Sequence, residues 1–273
     1  MNPIFKNNKL QAEFDKQGYI VLNVLADKDC DELSSFHATL SPGIGSNFFA
    51  TQNSENFSYR KAVEDYLHPI FEKLILPIFV NHRVLYTQYM VKKCGENGEC
   101  RMHQDWNFVD EPIHQAVNFW CALSDTDIQN GCLWLMPGSH KLKTRIRGRN
   151  IERPSLKEEN FIRKFLLKPI PLQKGQAILF NSATIHESRN NFSKTPRVAA
   201  AAMIIPKEAN AIHYLAKQPG SSTLLKVNAD TNFYIENSGL EMPKQLSVIE
   251  QITHSNKYFS KTELLRCYLA TKF

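Results

Sequence analysis

The feature that most constrains this chain is a series of short apolar runs along its middle. Residues 84–91, 116–123, 132–136, 165–170, 176–180 and 197–205 are rich in Val, Ile, Phe, Tyr and Leu. Turn signals separate them at 95–98, Asn130-Gly131, Pro137-Gly138, Lys174-Gly175 and Thr195-Pro196. Runs this short suit strands better than helices. Asn-Gly between two of them is a strong hairpin signal, because both residues tolerate positive φ. The expected fold is mainly β, with a sandwich or barrel at its centre.

The flanks read differently. Residues 10–17 suit a short helix closed by Gly18, 19–25 alternate as a strand, and Asp27 is placed to cap a helix reaching about Leu40. Residues 41–58, rich in Ser, Asn and Gly, read as a surface loop. A helix is expected over 59–76, ended or kinked by Pro77. Residues 141–160 are polar and charged and read as a long insertion, and a terminal helix is expected over 261–272. No linker divides the chain. One domain is expected, with N-terminal helices over about 1–80, a β core over about 81–206 and an extension over about 207–273.

Composition narrows the function classes. Hydrophobic residues make up 42% and charged residues 22% of the 273, as in ordinary globular proteins. The net charge of +6 is spread out, so no nucleic-acid partner is expected, while a small anionic substrate is admissible. The longest apolar runs, 74–80 and 198–205, are too short to span a bilayer, so no membrane partner is expected. The first residues, MNPIFKNNK, lack the apolar stretch of a secretory signal, and a cytoplasmic location is expected. Cysteines at 30, 94, 100, 121, 132 and 267 form no C-x-x-C pair and are expected to be reduced thiols.

The chemistry concentrates in Arg101-Met-His-Gln-Asp-Trp-Asn-Phe108. His103 and Asp105 are two apart, and residues i and i+2 of an extended strand point to one face. An imidazole and a carboxylate then converge. A second imidazole would complete the two-His, one-carboxylate face that leaves positions open on non-haem Fe(II). His186 ends an apolar strand 81 residues after Asp105, enough chain to bring it back beside His103. His114 sits in a polar turn, and His140 follows Pro137-Gly-Ser139, where a turn or capping role is expected. Eleven residues beyond His186, Arg197 opens the strand 198–205. A charge entering an apolar strand needs a partner, and a bidentate carboxylate is one.

These residues resemble the phytanoyl-CoA dioxygenase family of Fe(II)- and 2-oxoglutarate-dependent oxygenases. Four pieces match in order: Met102-His-Gln-Asp105, then Asn130-Gly-Cys-Leu-Trp-Leu-Met-Pro-Gly-Ser-His-Lys141, then His186-Glu-Ser188, then Arg197. The resemblance covers roughly residues 84–206. It implies a double-stranded β-helix, the cupin-like jelly-roll of two antiparallel sheets, with helices packed outside. It implies that His103, Asp105 and His186 are catalytic iron ligands, and that Arg197 grips the distal carboxylate of 2-oxoglutarate. Gln104, Trp120, Ser188 and Lys93 match positions lining the co-substrate pocket. Related halogenases carry Gly or Ala where this chain has Asp105, which favours oxygenation with O2 here. The implied reaction is hydroxylation with release of succinate and CO2. A cupin-like metal enzyme of other chemistry and a catalytically silent barrel are the alternatives, and Arg197 disfavours the first of them.

For the substrate side, Trp106, Asn107 and Phe108 directly follow the ligand pair, and Asn118 lies on the next strand. The stretch 141–149 carries a cation at every second position, including Arg145 and Arg147, and Arg153 follows. It reads either as a solvated edge or as a lid that holds an anionic or carrier-linked small molecule.

Overall fold

The computed structural model describes residues 2–40, 45–142, 145–151, 158–239, 241–243, 245–255 and 258–272. Its helices are α1 (Asn8–Gln17), α2 (Asp27–Ala38), α3 (Phe57–Ile75), α4 (Glu159–Phe165), α5 (Thr231–Glu236) and α6 (Lys261–Leu269). Its strands are β1 (Tyr19–Asn23), β2 (Phe48–Ala50), β3 (His82–Lys92), β4 (Cys100–His103), β5 (Val117–Ala122), β6 (Leu133–Leu135), β7 (Lys168–Ile170), β8 (Gln176–Asn181), β9 (His186–Ser188), β10 (Arg197–Pro206), β11 (Ile212–Ala216), β12 (Thr223–Asn228) and β13 (Val248–Thr253). Six strands in the order β1-β8-β5-β10-β3-β2 form a large sheet, four in the order β4-β9-β6-β7 a second, and β11-β12-β13 a third.

The large sheet is covered on both faces. On one, Val91, Phe119, Leu179 and Ala202 pack against Phe14, Leu33, Leu67 and Phe71 of the first three helices. On the other, Trp120, Ile178, Ala199 and Ala201 meet Leu133, Leu135 and Ile170 of the four-stranded sheet. Double coverage explains why β10 reads as one continuous apolar run instead of alternating. Two facing antiparallel sheets with helices outside make the double-stranded β-helix that the family resemblance implies. No helix among the described residues is long and apolar enough to cross a membrane. The six cysteines are free, as expected, and Cys30, Cys121 and Cys132 are buried.

The N-terminal region is more than a helical layer. Strand β1 pairs with β8, Tyr19 opposite Phe180, and forms one edge of the large sheet. Strand β2 forms the other edge from inside the stretch read as a surface loop, with Phe48 opposite Lys92. Three residues are too few to show alternation. Helix α4 also interrupts the expected pattern, because Ile162 and Leu166 bury one helical turn apart and delay β7 to Lys168. The extension adds the third sheet and α6.

Candidate metal and co-substrate site

His103 ends β4 and His186 opens β9, and the two stand directly opposite each other across the strand pair. Asp105 lies just beyond the strand, where its N–H donates to the Ser182 carbonyl at 2.9 Å. His103 Nε2 is 3.5 Å and His186 Nε2 3.7 Å from Asp105 Oδ1. One ligand atom from each of the three lies within 4.8 Å of the others, and no other such trio occurs among the described residues.

Both rings are turned the same way by the backbone two residues back. His103 Nδ1 meets the Arg101 carbonyl at 2.7 Å, and His186 Nδ1 meets the Thr184 carbonyl at 2.9 Å. A carbonyl only accepts, so Nδ1 carries a proton and Nε2 is the ring nitrogen placed to ligate a metal. Asn118 Nδ2 donates to Asp105 Oδ2 at 3.1 Å, which leaves Oδ1 facing the imidazoles. Burial opposes the Asp105 charge, but His186, His103 and Asn118 outweigh it and hold the carboxyl down to about 2. Atoms 3.5 and 3.7 Å apart are within reach of one ion, since two bonds of ~2.1 Å span ~4.2 Å. Two nitrogens and one carboxylate oxygen on one face fit an Fe(II) site.

Arg197 stands opposite Lys92 across β10 and β3 and is 2% exposed. Its guanidinium carbon lies 5.0 Å from the centre of the Trp120 ring, and Nη2 donates to the Gly131 carbonyl at 3.3 Å. Nε and Nη1 are buried and have no hydrogen-bond partner among the described residues. Burial lowers the Arg197 pKa to about 10, so the group is still a cation at neutral pH. A buried fork with two idle donors is what a bound carboxylate would satisfy. The Asn130-Gly131 turn belongs to this pocket. Gly131 has φ +79°, and a Cβ there would lie 2.6 Å from the Arg189 carbonyl and 2.7 Å from Lys92 Cδ.

The structure points to Lys92 where the sequence pointed to Lys93. Met90 packs between the two sheets while Tyr89 and Val91 face the helices, so strand parity turns Lys92 inward. Lys92 is fully buried, and its Nζ donates to the carbonyls of Gly98 and Ser188. Burial and the neighbouring Arg197 bring its pKa down to about 7. Lys93 follows the strand end, is half-buried, and its N–H donates to the Asn47 carbonyl. Gln104 is half-buried and donates to the Ala183 carbonyl at 2.5 Å, clasping the loop after β8. Ser188 is buried opposite Cys100 and Leu133.

The residues expected on the substrate side separate into different roles. Phe108 packs with Leu85, Tyr86 and Tyr234. Asn107 Oδ1 accepts from the Arg147 N–H at 2.7 Å. Asn118 orients Asp105, and its Oδ1 is buried without a partner among the described residues. Trp106 remains half-buried beside His213. Arg147 is no solvated lid cation. It pairs with Glu111, and its Nε donates to the Asp105 carbonyl at 2.5 Å. Arg145 is buried, with its guanidinium carbon 3.5 Å from the centre of the Phe259 ring. Lys143 and Arg153 lie outside the described residues.

The chain matches the family description of phytanoyl-CoA dioxygenase (PhyH) over residues 14–199. It belongs to the phytanoyl-CoA dioxygenase family. The Danio rerio phytanoyl-CoA dioxygenase domain-containing protein 1 is 33% identical over 128 residues, which cover 43% of this chain and 43% of that protein. The chain thus aligns with less than half the length of that curated relative. Among solved structures, the non-haem α-ketoglutarate-dependent carbocyclase SnoK from nogalamycin biosynthesis superposes with a TM-score of 0.57 at 19% identity, covering 78% of this chain and 89% of that one. The epimerase SnoN, in complex with Fe3+, α-ketoglutarate and nogalamycin RO, gives 0.53 at 21% identity, covering 75% and 85%. At such identities the likeness is one of fold.

Proposed function

We propose that this phytanoyl-CoA dioxygenase family member is an Fe(II)- and 2-oxoglutarate-dependent oxygenase that hydroxylates a small organic substrate, with release of succinate and CO2. His103, Asp105 and His186 hold the metal, and Arg197 holds the distal carboxylate of 2-oxoglutarate. The observation that carries the reading is the conjunction of the convergent triad with a buried arginine whose Nε and Nη1 have no partner among the described residues. A dicarboxylate would explain both at once, with one end held at the metal and the other by the guanidinium.

When bound, iron and 2-oxoglutarate supply oxygen activation coupled to decarboxylation of the 2-oxo acid. The protein supplies geometry and dryness. The carbonyls of Arg101 and Thr184 fix both imidazole tautomers. Asn118 leaves Asp105 one oxygen for the metal. Trp120 and the Gly131 carbonyl set the plane of the Arg197 fork and keep water from it. Lys92 lies buried beside Arg197 with its pKa lowered to about 7, and in its protonated form it adds to the positive potential that attracts a dianion.

Anaerobic titration of the protein with Fe(II) and 2-oxoglutarate tests this. A weak visible charge-transfer band is expected, and His103→Ala removes it. A wild-type protein that shows no band refutes the reading, and a band that persists in His103→Ala refutes the ligand set.

A further inference from the structure

The segment 145–150 alternates buried and half-buried residues, and the buried ones are Arg145, Arg147 and Arg149. An extended segment turns every second side chain the same way, so these cations face inward. Strand β11 fixes the segment in place. The Arg149 N–H donates to the Tyr214 carbonyl and the Ala216 N–H to the Arg149 carbonyl, both at 3.0 Å. Gly148 permits this approach, since a Cβ there would lie 1.8 Å from the Tyr214 oxygen.

The three arginines differ in what neutralises them. Arg147 has Glu111. Arg145 lies over Phe259, with its Nη1 buried without a partner, and no contact links it to Trp106 or the triad among the described residues. Arg149 donates Nη2 to the Ser238 carbonyl at 3.0 Å, while its Nε and Nη1 bond to none of the described residues. It forms no salt bridge among the described residues, and Glu241 acts on it only through space. Its guanidinium carbon lies 5.9 Å from the centre of the Trp106 ring, and Trp106 directly follows Asp105. His213 meets the same indole edge-on at 4.7 Å, and its Nδ1 is buried without a partner among the described residues. A half-satisfied cation, a half-buried aromatic face and an idle imidazole nitrogen thus gather beside the residue that adjoins the triad.

We propose that Arg149, with Trp106 and His213, receives the negatively charged group of the substrate, which is a small organic carboxylate or phosphate ester whose body lies along Trp106 toward the triad. This rests on the iron and 2-oxoglutarate reading and names the substrate class for it. An anion completes the Arg149 fork with charge-assisted hydrogen bonds that a neutral isostere cannot make.

Phenylacetate, phenyl phosphate and neutral phenylacetamide are the probes, titrated calorimetrically and anaerobically into the protein saturated with Fe(II) and 2-oxoglutarate. At least one anion is expected to bind wild type about tenfold or more tighter than the amide, and the tighter of the two identifies the group. Arg149→Gln is expected to bring that preference below about threefold, Arg149→Lys to keep most of it, and both to move the 2-oxoglutarate midpoint by less than about twofold. Equal binding of anions and amide, no binding of any probe, or a preference that survives Arg149→Gln overturns the proposal. The wild-type comparison decides even where the glutamine variant fails to fold. Loss of the wild-type charge-transfer band defeats the parent reading instead, whereas an intact band without anion preference defeats this one alone.

Discussion

Replacing Arg197 with methionine is expected to separate the stability of the protein from its affinity for 2-oxoglutarate. In the ligand-free protein the guanidinium is 2% exposed, donates once at 3.3 Å, and leaves Nε and Nη1 without partners among the described residues. A buried unsatisfied donor costs about 1–3 kcal/mol. Methionine removes both, keeps a flexible apolar side chain against Trp120, and forfeits one long hydrogen bond worth about 1 kcal/mol. The net expectation is a gain of about 1–5 kcal/mol without 2-oxoglutarate. At roughly 2 °C per kcal/mol for a chain this size, Tm rises by about 2–10 °C. With 2-oxoglutarate the order of benefit inverts. Wild type at a hundred times its Kd gains about 2.7 kcal/mol, or about 5 °C. Losing one side of a buried charge pair costs about 2–5 kcal/mol of binding, so the same concentration stabilises the variant by under about 1 kcal/mol. Thermal unfolding with saturating metal, with and without 2-oxoglutarate, reads both effects. A variant less stable than wild type in the absence of 2-oxoglutarate, or an equal ligand-induced shift in the two proteins, refutes the argument that this arginine is held in reserve for a carboxylate.

Two further outcomes follow from buried or half-buried charge. Glu111→Gln leaves Arg147 uncompensated beside the Asp105 carbonyl, and urea unfolding is expected to show a loss of about 3–5 kcal/mol, largely recovered in Glu111→Leu/Arg147→Met; a loss under about 1 kcal/mol contradicts the bracing role. His68 has its pKa raised by the hydrogen bond it donates to the Glu64 carboxylate, against burial, so its contribution is complete below an unfolded imidazole pKa of ~6.5 and fades as pH rises through the folded value. His68→Asn is therefore expected to lower Tm at about pH 5.5 and to matter much less near pH 9, and a pH-independent effect in thermal scans sinks that assignment.

The strands were readable where four or more apolar residues run together between turn signals, as in β5, β8 and β10. The convergence of the three side chains was readable because His103 and Asp105 are two residues apart, and because His186 follows the apolar run 176–180 with enough intervening chain to bring it back. What the sequence hid were features set by partners distant along the chain. Strand β2 has three residues and exists through its pairing with β3. Lys92 and Lys93 are adjacent and alike, and only the parity of Met90 against the inner core separates them. The orienting roles of Asn107 and Asn118 depend on atoms 40 and 13 residues away.

The arginines show why charge pattern alone misleads at such a site. In sequence, Arg145, Arg147, Arg149 and Arg197 are equivalent cations, and an every-second-residue stripe suggests a surface. In the fold all four are buried, and burial makes the cost of each depend on its neighbours. Arg147 meets Glu111 and becomes a strut for the loop that carries Asp105. Arg197 meets a single carbonyl and an indole face, which leaves an anion to finish its coordination. Arg149, like Arg197, spends one donor on a carbonyl, and its guanidinium carbon lies 5.9 Å from the centre of the Trp106 ring. Under the readings proposed above, an outside anion completes Arg197 and another completes Arg149, whereas Arg145, whose Nη1 is also buried without a partner among the described residues, has the Phe259 face instead.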